Sequence, residues 1–255
     1  MSLEASNWKQ LNLNTILNPF QGYWLGGINT NLPQIFTNKQ QLGNAVNNWI
    51  TNRIPVANNY GLIENWDVEN VTDMTDMFLD AINFNQDLNE WVVGNVTNMA
   101  GMFYKATSFN GNISNWDVGN VTNMSGMFNE ATRFNGDISN WNVGNVTNMS
   151  AMFLGASSFN GNISSWNVGN VTNLSGMFYG ATSFNGNISN WNVGNVTNMS
   201  SMFNGATRFN GDISNWDVGN VTDGGLDFMF KDIIFFTNQT DKIYSNGTPY
   251  RYFNS

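Results

Sequence analysis

The stretch FNGNISNWDVGNVTNMSGMFNEATR, residues 109–133, decides the fold of this chain because close copies of it recur along most of the 255 residues. Tryptophan marks each copy at a constant interval of 25 residues. These tryptophans are Trp66, Trp91, Trp116, Trp141, Trp166, Trp191 and Trp216. A fixed period of this length, without insertion or deletion up to Val221, predicts a repeat protein whose units pack against their neighbours.

Two apolar spacings within the unit predict its secondary structure. The segment I-x-x-W-x-V places Trp116 and Val118 on one face and Asp117 on the other, which is typical of a short strand. From Val121 the apolar residues recur at i, i+3, i+6, i+7 and i+10, which predicts an amphipathic helix that ends near Ala131. We therefore expect an α/β repeat solenoid with one short parallel strand and one helix in each coil.

Stacking at a constant period places like residues over like, in columns of Trp, Val, Met and Phe. Such columns could form a methionine-rich peptide groove or an aromatic platform for carbohydrate. A buried core is favoured because apolar residues continue each column from unit to unit. Leu174 replaces methionine in the first Met column, a change that a core tolerates. We expect the Trp column to lie inside.

Every unit carries the glycosylation sequon Asn-Val-Thr. The seven asparagines are Asn70, Asn95, Asn120, Asn145, Asn170, Asn195 and Asn220. The motif lies between the predicted strand and helix, where an Asn side chain can satisfy backbone groups of its own and the adjacent coil. We interpret it as a structural ladder that sugars at every unit would disrupt.

The repeats divide the chain into four parts. They are an N-terminal extension over residues 1–35, a capping helix and linker over 36–60, a seven-coil solenoid over 61–236, and a C-terminal cap over 237–255. An open stack exposes an apolar end and unpaired backbone groups at each terminus, so both ends need covering or serve in assembly.

The segment TNKQQLGNAVNNWI, residues 37–50, predicts the capping helix. Thr37 and Gln40 have capping-box spacing. The apolar residues that follow recur at helical spacing, namely Leu42, Ala45, Val46, Trp49 and Ile50. They predict one face packed on the first coil.

The other end carries a register break. The sequence MFKDIIFF from Met229 matches MFLDAINF from Met77 but arrives two residues late, with Gly224 and Gly225 at the break. The segment KIYSNGTPYRYF, residues 242–253, then places an Asn-Gly turn between two aromatic-rich arms, which predicts a β-hairpin.

Composition excludes several function classes. Nine Lys and Arg against 18 Asp and Glu give a net charge of −9, which repels phosphate backbones, so we expect no nucleic-acid partner. The chain has no Cys and no His, and it lacks P-loop and dinucleotide motifs. We expect no enzymatic activity, no cofactor and no metal.

The sequence shows neither a membrane span nor a secretory signal. No stretch approaches the ~20 apolar residues of a span, and residues 1–15 lack a basic start followed by an apolar run.

An acidic face marks the first coil. Residues 64–90 contain eight of the 18 acidic residues, and Asp73, Asp76 and Asp80 have helical spacing. A divalent cation could bind there, but the spacing matches no calcium loop. A solvated acidic face that discourages end contacts is the favoured interpretation.

The candidate binding surface is a column of outward positions beside the tryptophans, which we call the strand-face column. It consists of Asp67, Val92, Asp117, Asn142, Asn167, Asn192 and Asp217. One hypothesis is recognition of a protein or glycan surface by this column. The other is a structural subunit, packed against copies of itself or other subunits in a capsid, surface layer or filament, which near-identical units favour. An ice- or mineral-binding role is disfavoured because no exposed Thr-x-Thr row is apparent.

The repeats and the segment FTNKQQLGNAVNNWITNRIPVANNYGLIENWDVENVTDMTDMF before them resemble the BspA-like leucine-rich repeat surface proteins in their 25-residue mycoplasma-lipoprotein form. The resemblance covers residues 36–236. It implies a leucine-rich-repeat-like solenoid and a role in binding or adhesion at a cell surface. It implies no catalytic residues.

Overall fold

The repeats stack as successive coils that are joined by backbone hydrogen bonds between residues about one repeat apart. The protein is described by a computed structural model over residues 34–232. Within each coil, alternate residues donate their N–H groups to carbonyls of the next coil. Met124, Gly126, Phe128 and Glu130 thus bond to Asn148, Ser150, Met152 and Leu154 at 2.6–2.9 Å. The same hydrogen bond therefore recurs every 25 residues along the chain.

The predicted helix in each coil is wrong over the described residues. Residues 125–130 form consecutive turns, and Met127, Asn129 and Ala131 each donate to the carbonyl three residues earlier. Gly126 and Glu130 adopt left-handed φ angles of 61° and 56°, which interrupt any right-handed helix. The apolar spacing arises because the turns also point Met127, Phe128 and Ala131 inward.

The parallel backbone pairing between coils also lies outside the segment I-x-x-W-x-V, where the strand was predicted. Isolated parallel bridges join the residue after each Asn-Val-Thr threonine, running from Asp73 through Asn98, Asn123, Asn148 and Asn173 to Asn198. The segment with Ile113 and Trp116 instead closes a turn, in which the Trp116 N–H donates to the Ile113 carbonyl. The exception is the first coil, where Asp67 pairs in parallel with Ile35.

The core consists of the predicted columns, and the inward position of the Trp column is confirmed. The repeat tryptophans are 2–4% exposed. Phe128 and Phe153 of adjacent coils stack at 5.6 Å between ring centroids. Six of the seven repeat indoles also donate a hydrogen bond across coils, as Trp116 Nε1 does to the Leu88 carbonyl at 2.8 Å. The columns therefore join neighbouring coils through both apolar packing and buried hydrogen bonds.

Two helices cover the N-terminal end. Helix α1 spans Lys39–Thr51, helix α2 spans Arg53–Tyr60, and a short 3₁₀ helix, Ile63–Asn65, leads into the first coil. Most of the predicted apolar face of α1 is buried, but Ile50 is 39% exposed. The N-cap is Asn38 rather than Thr37, and its side chain accepts from the Gln41 amide at 3.0 Å.

The two-residue register break is confirmed. The Phe203 N–H donates to the Met229 carbonyl, whereas the equivalent Phe128 N–H donates to Met152. Gly225 takes the bridging place in the last coil and accepts from the Met199 N–H at 2.7 Å. A Cβ on Gly225 would lie 2.8 Å from the Thr222 carbonyl, so the break requires glycine. The predicted hairpin and C-terminal cap lie outside the described residues.

Candidate functional site

The strand-face column lies at the surface of the stack. Val92 is 56% exposed, Asp67 is partly exposed, and the other five members are exposed. Backbone turns hold the polar members in one orientation. The side-chain oxygen of each Asp and Asn accepts a hydrogen bond from the N–H two residues later, as Asn142 does from Gly144 at 3.2 Å and Asp117 from Gly119 at 3.0 Å.

These turns leave a row of donors pointing outward. Because a backbone N–H must meet an acceptor, the Asn oxygen faces the turn and the amide nitrogen faces away. Among residues 34–232, no hydrogen bond engages the side-chain nitrogens of Asn142, Asn167 and Asn192. The nitrogen of Asn142 lies beside Gly119 of the preceding coil. The middle coils therefore present amide N–H groups, whereas Asp67, Asp117 and Asp217 present carboxylates.

Two further exposed rows flank the column, and both are hydrogen-bonded between coils. Asn145 Nδ2 donates to the Gly119 carbonyl at 2.7 Å. Thr147 Oγ1 donates to the Thr122 carbonyl at 3.2 Å. The same bonds recur in the other coils, so the Asn-Val-Thr motif forms the ladder that the sequence predicted.

Charge is distributed unevenly over the stack. No Asp, Glu, Lys or Arg occurs between Ile138 and Thr207, so the middle coils are neutral. The first coil is acidic, and the Lys39 ammonium of α1 lies 3.4 Å from the Asp73 carboxylate. This is the one salt bridge within residues 34–232. Any partner of the middle coils meets hydrogen-bonding groups without formal charge.

The three first-coil aspartates do not converge. In the part of the chain that the structure describes, no group of three or more Asp and Glu is placed to hold a metal ion. Asp73 instead accepts from the backbone and hydroxyl of Thr75. Burial opposes ionisation of Asp73, but these bonds and Lys39 outweigh it and lower the pKa of the carboxyl below 3.8.

An open groove of about 490 Å³ runs between α1 and the first coil. Lys39, Asn44, Asn47 and Asp76 are among its polar lining, and Met77 is among its apolar lining. The groove is polar and mixed in charge. Nor is any helix within residues 34–232 both long and apolar enough for a membrane crossing.

A second column lies on the turn ladder, at a position whose variation among the units predicts a solvent-facing surface. Its members occupy the position of Asn129 in each coil, and we call it the turn-face column. They are Leu79, Tyr104, Asn129, Leu154, Tyr179 and Asn204. Leu79 and Tyr179 are exposed and Tyr104, Asn129 and Leu154 are partly exposed, but Asn204 is buried.

The fold and its surfaces define a repeat protein with a stacked core and regular polar faces. A family model described as "Mycoplasma protein of unknown function, DUF285" matches residues 30–137, 55–163 and 153–246. These matches together cover most of the chain, and the protein belongs to this family. Comparison with curated proteins and with solved structures gave no match.

Proposed function

We propose that the protein is a non-enzymatic recognition module that binds a protein or glycan through the strand-face column. The observation that carries the proposal is the row of unengaged amide nitrogens on Asn142, Asn167 and Asn192. Each amide is fixed by its own turn, so little side-chain entropy is lost when a partner accepts its hydrogen bonds. Kinship with BspA-like surface proteins, and a location at a cell surface, outside the cell or on a virion, are parts of the same proposal.

The test replaces the donors while keeping the turns. Aspartate occupies the same position in other coils and forms the same turn. The triple variant therefore keeps the turns, but it replaces each side-chain N–H donor with a negatively charged oxygen. Its changes are Asn142→Asp, Asn167→Asp and Asn192→Asp. Glycan arrays and pull-downs from candidate host cells would identify a partner. We expect the triple variant to lose that partner while it keeps its thermal unfolding midpoint.

The matched control adds the same charges elsewhere on the coils. Asn112, Asn162 and Asn187 share a position where Asp137 and Asp212 already stand, so their change to Asp should leave binding intact. Equal losses in both triple variants would show that net charge, not the strand-face column, governs binding. Absence of any partner for the native protein would refute the proposal.

The alternative proposal is a structural subunit of a capsid, surface layer or filament. Its support is the near-identity of the exposed rows, since Asn120 and Thr122 recur without change in successive coils. Light scattering at high concentration tests it. A monodisperse monomer that copurifies with no particle would count against a structural role.

A further inference from the structure

One position of the repeat carries an asparagine followed by glycine in successive coils, and we call this set the Asn-Gly ladder. Its members are Asn110, Asn135, Asn160, Asn185 and Asn210, and all of them are exposed. Asparagine is a thermolabile residue. It is most labile before glycine, which has no side chain to shield its backbone nitrogen. The contacts of each asparagine therefore decide whether it persists as an amide in the folded protein.

Deamidation joins the asparagine side chain to the backbone nitrogen of the next residue. That nitrogen loses its proton and attacks Cγ, so that an N–Cγ bond forms while the Cγ–Nδ2 bond breaks and ammonia leaves. Water then opens the cyclic imide at either of its carbonyls, which gives aspartate or isoaspartate. Closure of the ring rotates the side chain and the backbone together. An asparagine whose side chain is bonded to another part of the protein must first give up that bond.

The next coil holds all but the last member of the Asn-Gly ladder. The Asn135 N–H donates to Asn110 Oδ1 at 2.8 Å, and the same bond recurs at 2.8–2.9 Å up to the pair Asn210 and Asn185. Because a backbone N–H faces each side chain, the facing atom is the amide oxygen. Ring closure at these asparagines would break the bond and leave a backbone N–H of the next coil without its acceptor.

Asn210 ends the Asn-Gly ladder. Its own N–H donates to Asn185, but its side chain accepts no hydrogen bond within residues 34–232. The N–H of Gly211 likewise donates no hydrogen bond within these residues. The side-chain carbonyl and the backbone nitrogen that deamidation requires are thus both unengaged at this exposed pair.

One other Asn-Gly pair occurs within the described residues, and its contacts are the opposite. Asn204 is 8% exposed. The N–H of Gly205 donates to the Lys231 carbonyl at 2.9 Å, so the attacking nitrogen is bonded. This pair should remain intact in the folded protein, because its amide is shielded from water and its nucleophile is engaged.

We propose that Asn210 is the deamidation site of the folded stack, and that bonds between coils protect the other members of the Asn-Gly ladder. The product adds a carboxylate to the coil that already carries Asp212 and Asp217. Isoaspartate would also lengthen the backbone of this coil, whose Trp216 indole donates to the Ile188 carbonyl at 3.2 Å. The inference is independent of the proposed function, because it depends only on contacts within the stack.

Asn135 is the matched control for Asn210, since residues 131–141 and 206–216 have the same sequence. The purified full chain is incubated at mildly alkaline pH, and deamidation is followed by tandem mass spectrometry of tryptic peptides, which separate the two sites. We expect Asn210 to deamidate about tenfold faster than Asn135, the factor that one hydrogen bond supplies. In urea the two rates should be equal. Asn246, which also precedes glycine, lies outside the described residues and in a separate peptide.

A tandem duplication of residues 192–216 tests the cause. It adds one coil in register, so the original Asn210 gains a backbone donor one repeat later. We expect the deamidation rate of the original Asn210 to fall to that of Asn135, while the copy in the added coil becomes the labile site. A rate that stays high at the original Asn210 would show that the missing hydrogen bond is not the cause.

Three further results would overturn the proposal. One is equal deamidation of Asn135 and Asn210 in the folded chain, and another is faster deamidation of Asn204 than of Asn210. The third comes from hydrogen exchange. If residues 209–216 exchange as fast in buffer as in urea, local unfolding of this coil explains the lability, and protection by the ladder is wrong.

Discussion

At the scale of single residues, one turn position has a left-handed backbone in every described coil, and the residue type that occupies it differs between coils. Asp80, Lys105 and Glu130 adopt left-handed φ angles of 56°, 58° and 56°. The last coil carries Asp232 there, with a φ angle of 61°, whereas the three coils in between place glycine at this position. These residues are Gly155, Gly180 and Gly205, with φ angles of 66°, 66° and 70°. A left-handed backbone costs a residue with a side chain about 1–2 kcal/mol, whereas glycine adopts it freely.

We expect Glu130→Gly to raise the free energy of unfolding by about 0.5–1 kcal/mol, because relief of the left-handed strain exceeds the entropy that glycine adds to the unfolded chain. Equilibrium urea denaturation measures it. Asp80→Gly should raise the free energy of unfolding by less, since aspartate tolerates the left-handed conformation better than glutamate. Ser125→Gly, at a position without positive φ, should be destabilising. A loss of stability in Glu130→Gly would show that its side chain has contacts that outweigh the strain.

At the scale of elements, the first coil is attached to α1 through Asp73. The carboxylate accepts from Thr75 and lies near Lys39, and its pKa in the folded protein is below 3.8. A lowered carboxyl pKa stabilises the fold above the unfolded value, and this stabilisation disappears as the pH falls through the folded value. The junction is therefore an acid-sensitive part of the molecule.

We expect Asp73→Asn to lower the free energy of unfolding at pH 7 by about 0.5 kcal/mol, because the exposed pair is screened by water. Asparagine occupies this position in the next coils and keeps the turn. As the pH falls through the lowered pKa of Asp73, the native carboxylate becomes protonated, so the two proteins should converge. Urea denaturation across pH 2.5–7 checks this. A difference that stays constant with pH would assign the loss to packing instead of charge.

The elements also show what the sequence could and could not predict. The prediction that Trp116 and Met124 lie in the core is confirmed. It required only the constant period, which stacks each apolar residue on its counterparts in the neighbouring coils. The helix from Val121 to Ala131 was wrong because its apolar spacing also fits a chain of turns. Only the positive φ values at Gly126 and Glu130 distinguish the two, and Glu130 gives no such signal in a sequence.

At the scale of the whole molecule, each coil in the repeat bonds mainly to its immediate neighbours. Trp141 Nε1 donates to the Ile113 carbonyl, and Asn145 and Thr147 donate one coil back. Stability should then be close to a sum of coil and interface contributions. The ends differ from the middle, since α1 covers one end and Gly225 shifts the register at the other.

Deletion of residues 142–166 removes one coil and rejoins the columns in register. We expect the shortened chain to unfold cooperatively, with a midpoint modestly below that of the native chain, because one inter-coil interface is lost. Thermal circular dichroism and tryptophan fluorescence measure this. Deletion of residues 142–153 is the control. It breaks the period, so it should abolish the cooperative transition. Equal behaviour of the two deletions would refute a stack built from neighbour contacts.

The uniform length of the coils has a genetic consequence. Near-identical coils are encoded by near-identical stretches of gene, which are substrates for unequal recombination. Because each kind of ladder bond joins residues at the same offset from one repeat to the next, an in-frame gain or loss of whole coils leaves the hydrogen bonding complete. Related strains should therefore carry alleles that differ in coil number, with the helical N-terminal segment and the Gly224-Gly225 break preserved at either end.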